Sequence, residues 1–153
     1  MMLLLDNTYL LPAIGVSLEG LPHDAPFKLL EKGYNLSISD ITLFELEAKG
    51  AKYIAQGDLT AERVSRGMRA IVYDDRLERI PTYETPVLLT SFTLRRLMND
   101  FIDCLILSSA MNHGDMLVTE DEYIHELEER TVFQEIIKAT NPQFKVNKLD
   151  DVV

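Results

Sequence analysis

The run "NDFIDCLILSSA" at residues 99–110 constrains the fold more than any other stretch. Phe101, Ile102, Cys104, Leu105, Ile106 and Leu107 leave a helix there almost no polar side, and a helix that is apolar all round belongs inside a protein. Asp100 and Asp103 sit within it, one helical turn apart. Burying a carboxylate costs on the order of several kcal/mol unless something compensates it. The run therefore demands layers that enclose it and a partner for at least one of its two acids.

Short apolar runs supply the rest of such a layered fold. "MLLLD" predicts a buried strand over residues 2–5 with Asp6 at its C-terminal end. "YNLSIS" predicts a second strand, "DMLVT" a third, and "FKVNKL" a last edge strand. Helical patterns lie between them. One starts in "NTYLLPAIG", and another covers 26–32 and stops at Gly33. "DITLFELEAKG" reads as a helix with Asp40 as N-cap and Gly50 just past its end. "GDLTAERVSRGMRAIVYDDRLER" reads as one amphipathic helix with Val64, Met68, Ile71 and Val72 on its apolar face. In "TPVLLTSFTLRRLM", Thr85 is the expected N-cap and Pro86 the first helical residue. The 99–113 helix ends at Gly114, and "EYIHELEER" and "VFQEIIKAT" are helical. Strands alternating with helices predict an α/β fold, a parallel sheet covered on both faces. At 153 residues and 46% hydrophobic, the chain reads as a single domain, 1–153.

The opening "MMLLLDNTYLL" has no basic start and is interrupted by Asp6, which argues against a signal peptide or membrane span. The single cysteine, Cys104, excludes an intramolecular disulfide, so a reducing, cytoplasmic location is expected. The formal net charge is -10. Only residues 61–99, with 7 basic against 5 acidic side chains, lean positive.

Ligands of open parallel sheets bind beyond the C-terminal ends of the strands. Asp6 and Asp121 fall at such ends, Glu45 lies about one turn into a following helix, and Asp103 lies in the first turn of its own. Four carboxylates meeting at one rim could not all stay ionised unaided. A hard divalent cation, Mg2+ or Mn2+, takes oxygen ligands and keeps waters for a substrate and nucleophile. Each acid also has an ordinary alternative. Asp6 and Asp121 could cap helices, and Glu45 could pair with Lys49. Asp103, among apolar neighbours, is the hardest to explain away.

"LLLDNTYLL", "ISDITLFELE" and "DFIDCLILSSAMNHGDMLVTEDEYI" resemble, in order, the motifs of the PIN domain family, including its VapC-type toxins. The resemblance runs from about residue 2 to residue 125. It implies a three-layer α/β/α fold and a metal-dependent ribonuclease whose products carry 5′-phosphate and 3′-hydroxyl ends. Matched position by position, Asp6, Glu45, Asp103 and Asp121 stand where the family has its metal-binding acids. Glu47 is a weaker second candidate beside Glu45. Thr119 matches a hydroxyl residue two before the last acid, and Asn7 stands where many members have Thr or Ser. Asp100 is then the cap or a supporting residue, with the role of fallback ligand. One metal ion or two is left open. His23, His113 and His125 are scattered, and "HELEE" is not a zinc motif.

An RNA substrate needs cationic and stacking groups. Arg63, Arg66, Arg69, Tyr73 and Arg76 recur at helical spacing and are the candidate RNA-binding face, with Arg95 and Arg96 as a second cluster. Asp74, Asp75 and Glu78 could instead neutralise that face. Met68, Leu88, Leu89, Phe92 and Leu97 give apolar surface for a homodimer or for the small antitoxin protein the resemblance implies, and core packing explains them equally well. Two further readings compete with the nuclease: a PIN-fold RNA-binding or assembly module that does not cleave, and a phosphate-accepting receiver-like domain, which would want a lysine near the rim.

Overall fold

The first strand, β1 (Met2–Leu5), is buried on both faces in the computed structural model, which describes residues 1–153. Leu3 and Leu5 join one hydrophobic cluster and Leu4 the other, the alternation expected of a strand between two helical layers. Parallel to β1 run β2 (Asn35–Ser39) on one side and β4 (Met116–Val118) on the other. The edges are β3 (Leu77–Ile80), against β2, and β5 (Lys145–Asn147), against β4. The sheet is all parallel in the order β3-β2-β1-β4-β5. Chain order reverses between β1 and β4, which makes the crevice at their C-terminal ends the topological switch point.

Two helical layers enclose the sheet. One face carries a 3-10 segment (Asn7–Ile14), α1 (Ala25–Glu31), α2 (Asp40–Ala55) and α3 (Ala61–Val72). The other carries α4 (Thr85–Leu94), α5 (Phe101–His113), α6 (Glu122–Leu127) and α7 (Thr131–Thr140). The three-layer α/β/α fold expected from the sequence is present. Helix α5 is the run that had to be buried: residues 104–111 are all inside, and Ser108 Oγ donates to the Val87 carbonyl of α4 at 2.5 Å. No helix is long and apolar enough to cross a membrane.

Several element assignments are corrected. The single helix expected over 57–79 ends at Val72, and residues 77–80 form β3. Asp74 turns the chain: its carboxylate accepts from the Arg76 backbone N–H at 3.0 Å and from the guanidinium at 2.9 Å. Residues 7–14 wind as a 3-10 helix around Pro12, which has no N–H for an α-helical ladder. Ser39, not Asp40, holds the N-cap position of α2, and the Asp40 carboxylate instead accepts from the Thr82 N–H. Gly50 does not end that helix. It lies within α2, where α3 comes close: a Cβ there would stand 2.6 Å from Val64 Cγ1. Glu84, one residue earlier than Thr85, takes the N-cap position of α4.

Candidate active site

Asp6 follows β1 directly, and its backbone N–H donates to the Val118 carbonyl of β4 at 3.1 Å, which pins the acid at the switch point. Two donors then orient its carboxylate. The Asn7 backbone N–H reaches Oδ1 at 2.7 Å, and the Thr119 hydroxyl reaches Oδ2 at 2.7 Å. Thr119 is fully buried and accepts in turn from the Asp121 N–H at 3.1 Å. Desolvation nonetheless dominates at Asp6 and raises its pKa, with the charge of Asp121 adding to the rise.

Glu45 and Asp103 approach from the two helical layers, on α2 and α5 respectively. Burial lifts Glu45 to about 7, and the charges of Asp6 and Asp103 push the same way. Asp103 is also lifted to about 7, by burial first and then by Asp100, Asp6 and Asp121. Each of the four predicted acids thus lies within electrostatic reach of others in the set. Lys49, one turn beyond Glu45, opposes the rise at Asp6 and Glu45. Oε1 of Glu45 is buried and has no hydrogen-bond partner. An all-carboxylate donor set suits a hard cation. As the side chains stand, no three His, Cys, Asp or Glu residues are gathered tightly enough to hold an ion. Like charges without a counter-ion favour such spacing.

The two aspartates of the opening run are in different situations. Asp100 is the N-cap of α5, with Oδ1 accepting from the N–H groups of Ile102 (2.9 Å) and Asp103 (3.4 Å). Asp103 is in the first turn, where the helix end offers partial positive charge. Asp121 also caps a helix: its Oδ1 accepts from the Tyr123 N–H at 2.9 Å. Glu47 is exposed on α2.

Two residues near the site carry no sequence motif. His125 donates from Nε2 to the Thr119 carbonyl at 2.8 Å. Glu120 Oε2 accepts from the Tyr9 hydroxyl at 2.7 Å and from the Leu149 N–H at 3.1 Å. Both brace the loop that bears Thr119 and Asp121. Their contacts span 6 to 111 residues of chain, and His125 lies in a run that reads as a solvated helix face.

The arginine face is smaller than its spacing suggested. Arg63 is committed to structure: its Nη1 donates to the Ala13 carbonyl at 2.7 Å and its Nη2 to that of Pro12 at 3.4 Å, closing the end of the 3-10 segment. Arg76 pairs with Asp74 at 2.9 Å and lies over the Phe27 ring. Arg66, Arg69 and Tyr73 remain exposed, Arg66 in a loose 3.7 Å pair with Glu62. Of the apolar candidates, Leu97 belongs to the core on one face of the sheet and Met68 packs against the core on the other, whereas Leu89 and Phe92 are more than half exposed. The Phe92 ring stacks on Phe101 at 6.0 Å. A cavity of about 250 Å³ between the 3-10 segment, α1 and α3 is mostly apolar and holds none of the four acids.

A five-stranded all-parallel sheet between two helical layers, with acids in electrostatic reach of one another about its switch point, defines the class of fold. The PIN domain family model matches residues 14–130, and the chain belongs to that family. The match includes Glu45, Asp103 and Asp121 and begins after Asp6. No curated protein matches the sequence. In structure, the chain is similar to one in the crystal structure of VapBC2 from Rickettsia felis bound to a DNA fragment from their promoter. The TM-score is 0.59 at 19% identity, with 97% of this chain and 98% of that chain covered. At that identity the likeness is one of fold.

Proposed function

We propose that this protein is a metal-dependent endoribonuclease acting as the toxin of a toxin–antitoxin pair. The feature that supports the reading most is the electrostatic reach among Asp6, Glu45, Asp103 and Asp121 from four separate segments, with Glu45 and Asp103 lifted to about 7 first by burial and then by neighbouring acids. That arrangement is unfavourable for a structural purpose and is what a Mg2+ or Mn2+ site needs before its ion arrives. Asp6, Glu45 and Asp103 would hold the ion, with Asp121 at its margin. When bound, such an ion lowers the pKa of water and bears charge on a phosphate oxygen.

The chain's own residues supply the rest. Thr119 and the Asn7 N–H keep the Asp6 carboxylate in one plane. Arg66 and Arg69 attract the phosphate backbone, and Tyr73, 78% exposed, offers a face for an unpaired base. Similarity to a VapBC complex supports a small antitoxin as partner. The exposed Leu89, Phe92 and Phe101 support association with a second copy.

Incubation of the purified protein with a mixed RNA pool tests the reading. Cleavage is expected with Mn2+ or Mg2+, to stop with chelator, and to be lost in Asp103→Asn while the fold persists. RNA binding without cleavage under any divalent ion would instead establish a non-cleaving PIN-fold module.

A further inference from the structure

Seven serine and threonine side chains are buried in this protein: Ser37, Ser39, Thr42, Ser91, Ser108, Ser109 and Thr119. Five have an acceptor. Ser37 donates to the Leu3 carbonyl, Ser91 to Leu88, Ser108 to Val87, Ser109 to Leu105, and Thr119 to Asp6. Only Ser39 and Thr42 have none, and both are 0% exposed. Ser39 is all the odder because it holds the N-cap position of α2, where a serine normally accepts from the helix's first N–H groups, and its side chain makes no such bond.

The third buried side-chain atom without a partner is Oε1 of Glu45. All three such atoms in the protein therefore fall at positions 39, 42 and 45, successive i,i+3 steps along one stripe of one helix start. Side chains three apart on a helix are neighbours. The stripe ends on the carboxylate that senses both Asp6 and Asp103, so it runs from the sheet interior toward the acid cluster. A buried polar atom left unmatched costs about 1–3 kcal/mol, and folded proteins satisfy nearly all of them, often through ordered water. Three coincident exceptions on one stripe call for a joint partner.

We propose that Ser39 and Thr42 are positioning residues. Their hydroxyls hold ordered water that hydrogen-bonds Oε1 of Glu45, fixing the carboxylate plane so that the other oxygen is presented to the divalent cation. The inference rests on the metal-site reading above and adds two residues to it. It also accounts for why neither hydroxyl bonds a backbone carbonyl, as the other buried serines do.

Mn2+ titration of the full chain by calorimetry, read beside thermal unfolding in chelator, tests it. Thr42→Val and Ser39→Ala should each weaken Mn2+ binding about tenfold, the lower range for partners that orient a metal ligand. Thr42→Ser, which keeps the hydroxyl, should bind within about twofold of the parent on the same scale. In chelator, Thr42→Val should unfold close to the parent, because the hydroxyl it removes bonds no other group of the protein. Unchanged Mn2+ affinity in Thr42→Val and Ser39→Ala, with affinity lost in Asp103→Asn, would overturn the positioning role alone. Equal losses in Thr42→Ser and Thr42→Val would also overturn it, since shape rather than the hydroxyl would be at work. If the parent binds no Mn2+, or Asp103→Asn binds as well as the parent, the metal site itself fails and takes the positioning role with it.

Discussion

Glu45→Gln separates stability from function at this site. In the absence of metal, Glu45 titrates near 7 rather than its ordinary 4.5. A displacement of that size corresponds to about 3 kcal/mol at about 1.4 kcal/mol per pH unit. Water reaches part of this side chain, so screening reduces the destabilisation to about 1.5 kcal/mol. The sign follows from linkage. Above pH 7 the carboxylate is ionised in both states and the folded protein bears the whole penalty. Between 7 and 4.5 the folded state takes up a proton first, and the penalty fades. Below 4.5 both states are protonated and it is gone. Glutamine carries no charge at any pH, and its amide can donate to the neighbouring carboxylates. In chelator at pH 8, Glu45→Gln should therefore raise the midpoint of thermal unfolding by about 3–6 °C for a domain of this size. The advantage should shrink steadily toward pH 4.5. Saturating Mn2+ should reverse the order, because an ion at 100 times its Kd adds about 2.7 kcal/mol to the parent and much less to the variant. Paired melts by circular dichroism at pH 8, 6 and 5, with and without Mn2+, supply the measurement. A variant that melts below the parent at pH 8 in chelator, or a gain independent of pH, would refute the account of mutual repulsion.

Other expectations follow from single contacts. Asp100→Ala should lower stability by about 1 kcal/mol in urea denaturation and leave most cleavage intact, as loss of a cap does. Asp103→Asn should abolish cleavage at undiminished stability. Thr119→Val removes a donor from Asp6 and an acceptor from the Asp121 N–H. It should cost about 1–3 kcal/mol in urea and weaken Mn2+ binding. Gly67→Ala would bring a Cβ to 2.2 Å from the Ala13 carbonyl oxygen, a backbone atom that cannot swing aside. A loss of at least about 2 kcal/mol is expected by the same assay, on the scale of overpacking. Charge reversal at Arg66 and Arg69 should weaken RNA binding and flatten its salt dependence without moving the melting point, whereas Arg63→Ala should lower the melting point.

Much of this was legible in the chain because the signals were local. "MLLLD" has the continuous apolar run of a doubly buried strand, and the greasy 101–111 run could only be a covered helix. The cap at Asp100 and the half-buried position of Asp103 one turn on follow from where that run begins. The strand at 77–80 was illegible because its residues, Leu-Glu-Arg-Ile, continue a helical charge pattern. The break depends on Asp74 folding back on Arg76, a contact no periodicity records. Arg63 kept its helical spacing but lost its candidate role to two carbonyls about fifty residues earlier. Ser39 and Thr42 were passed over for a related reason. Asp40 beside them is the stronger cap in sequence, and the lack of a partner for a buried hydroxyl arises only in the packed fold.

The brace on the loop bearing Thr119 and Asp121 has a consequence for timing. Its struts are the Asn147 carbonyl, which accepts from the Thr119 N–H, and the Leu149 N–H, which donates to Glu120. Leu149 and Val152 then seal the same cluster as Leu3 and Tyr9. All of these struts are translated after every one of the four acids. A ribosome making this chain has therefore built all four acids before it builds the segment that fixes one of them. The loop bearing Thr119 and Asp121 thus gains its full set of hydrogen bonds only once β5 has docked, so the site is completed by the last part of the sheet to be made.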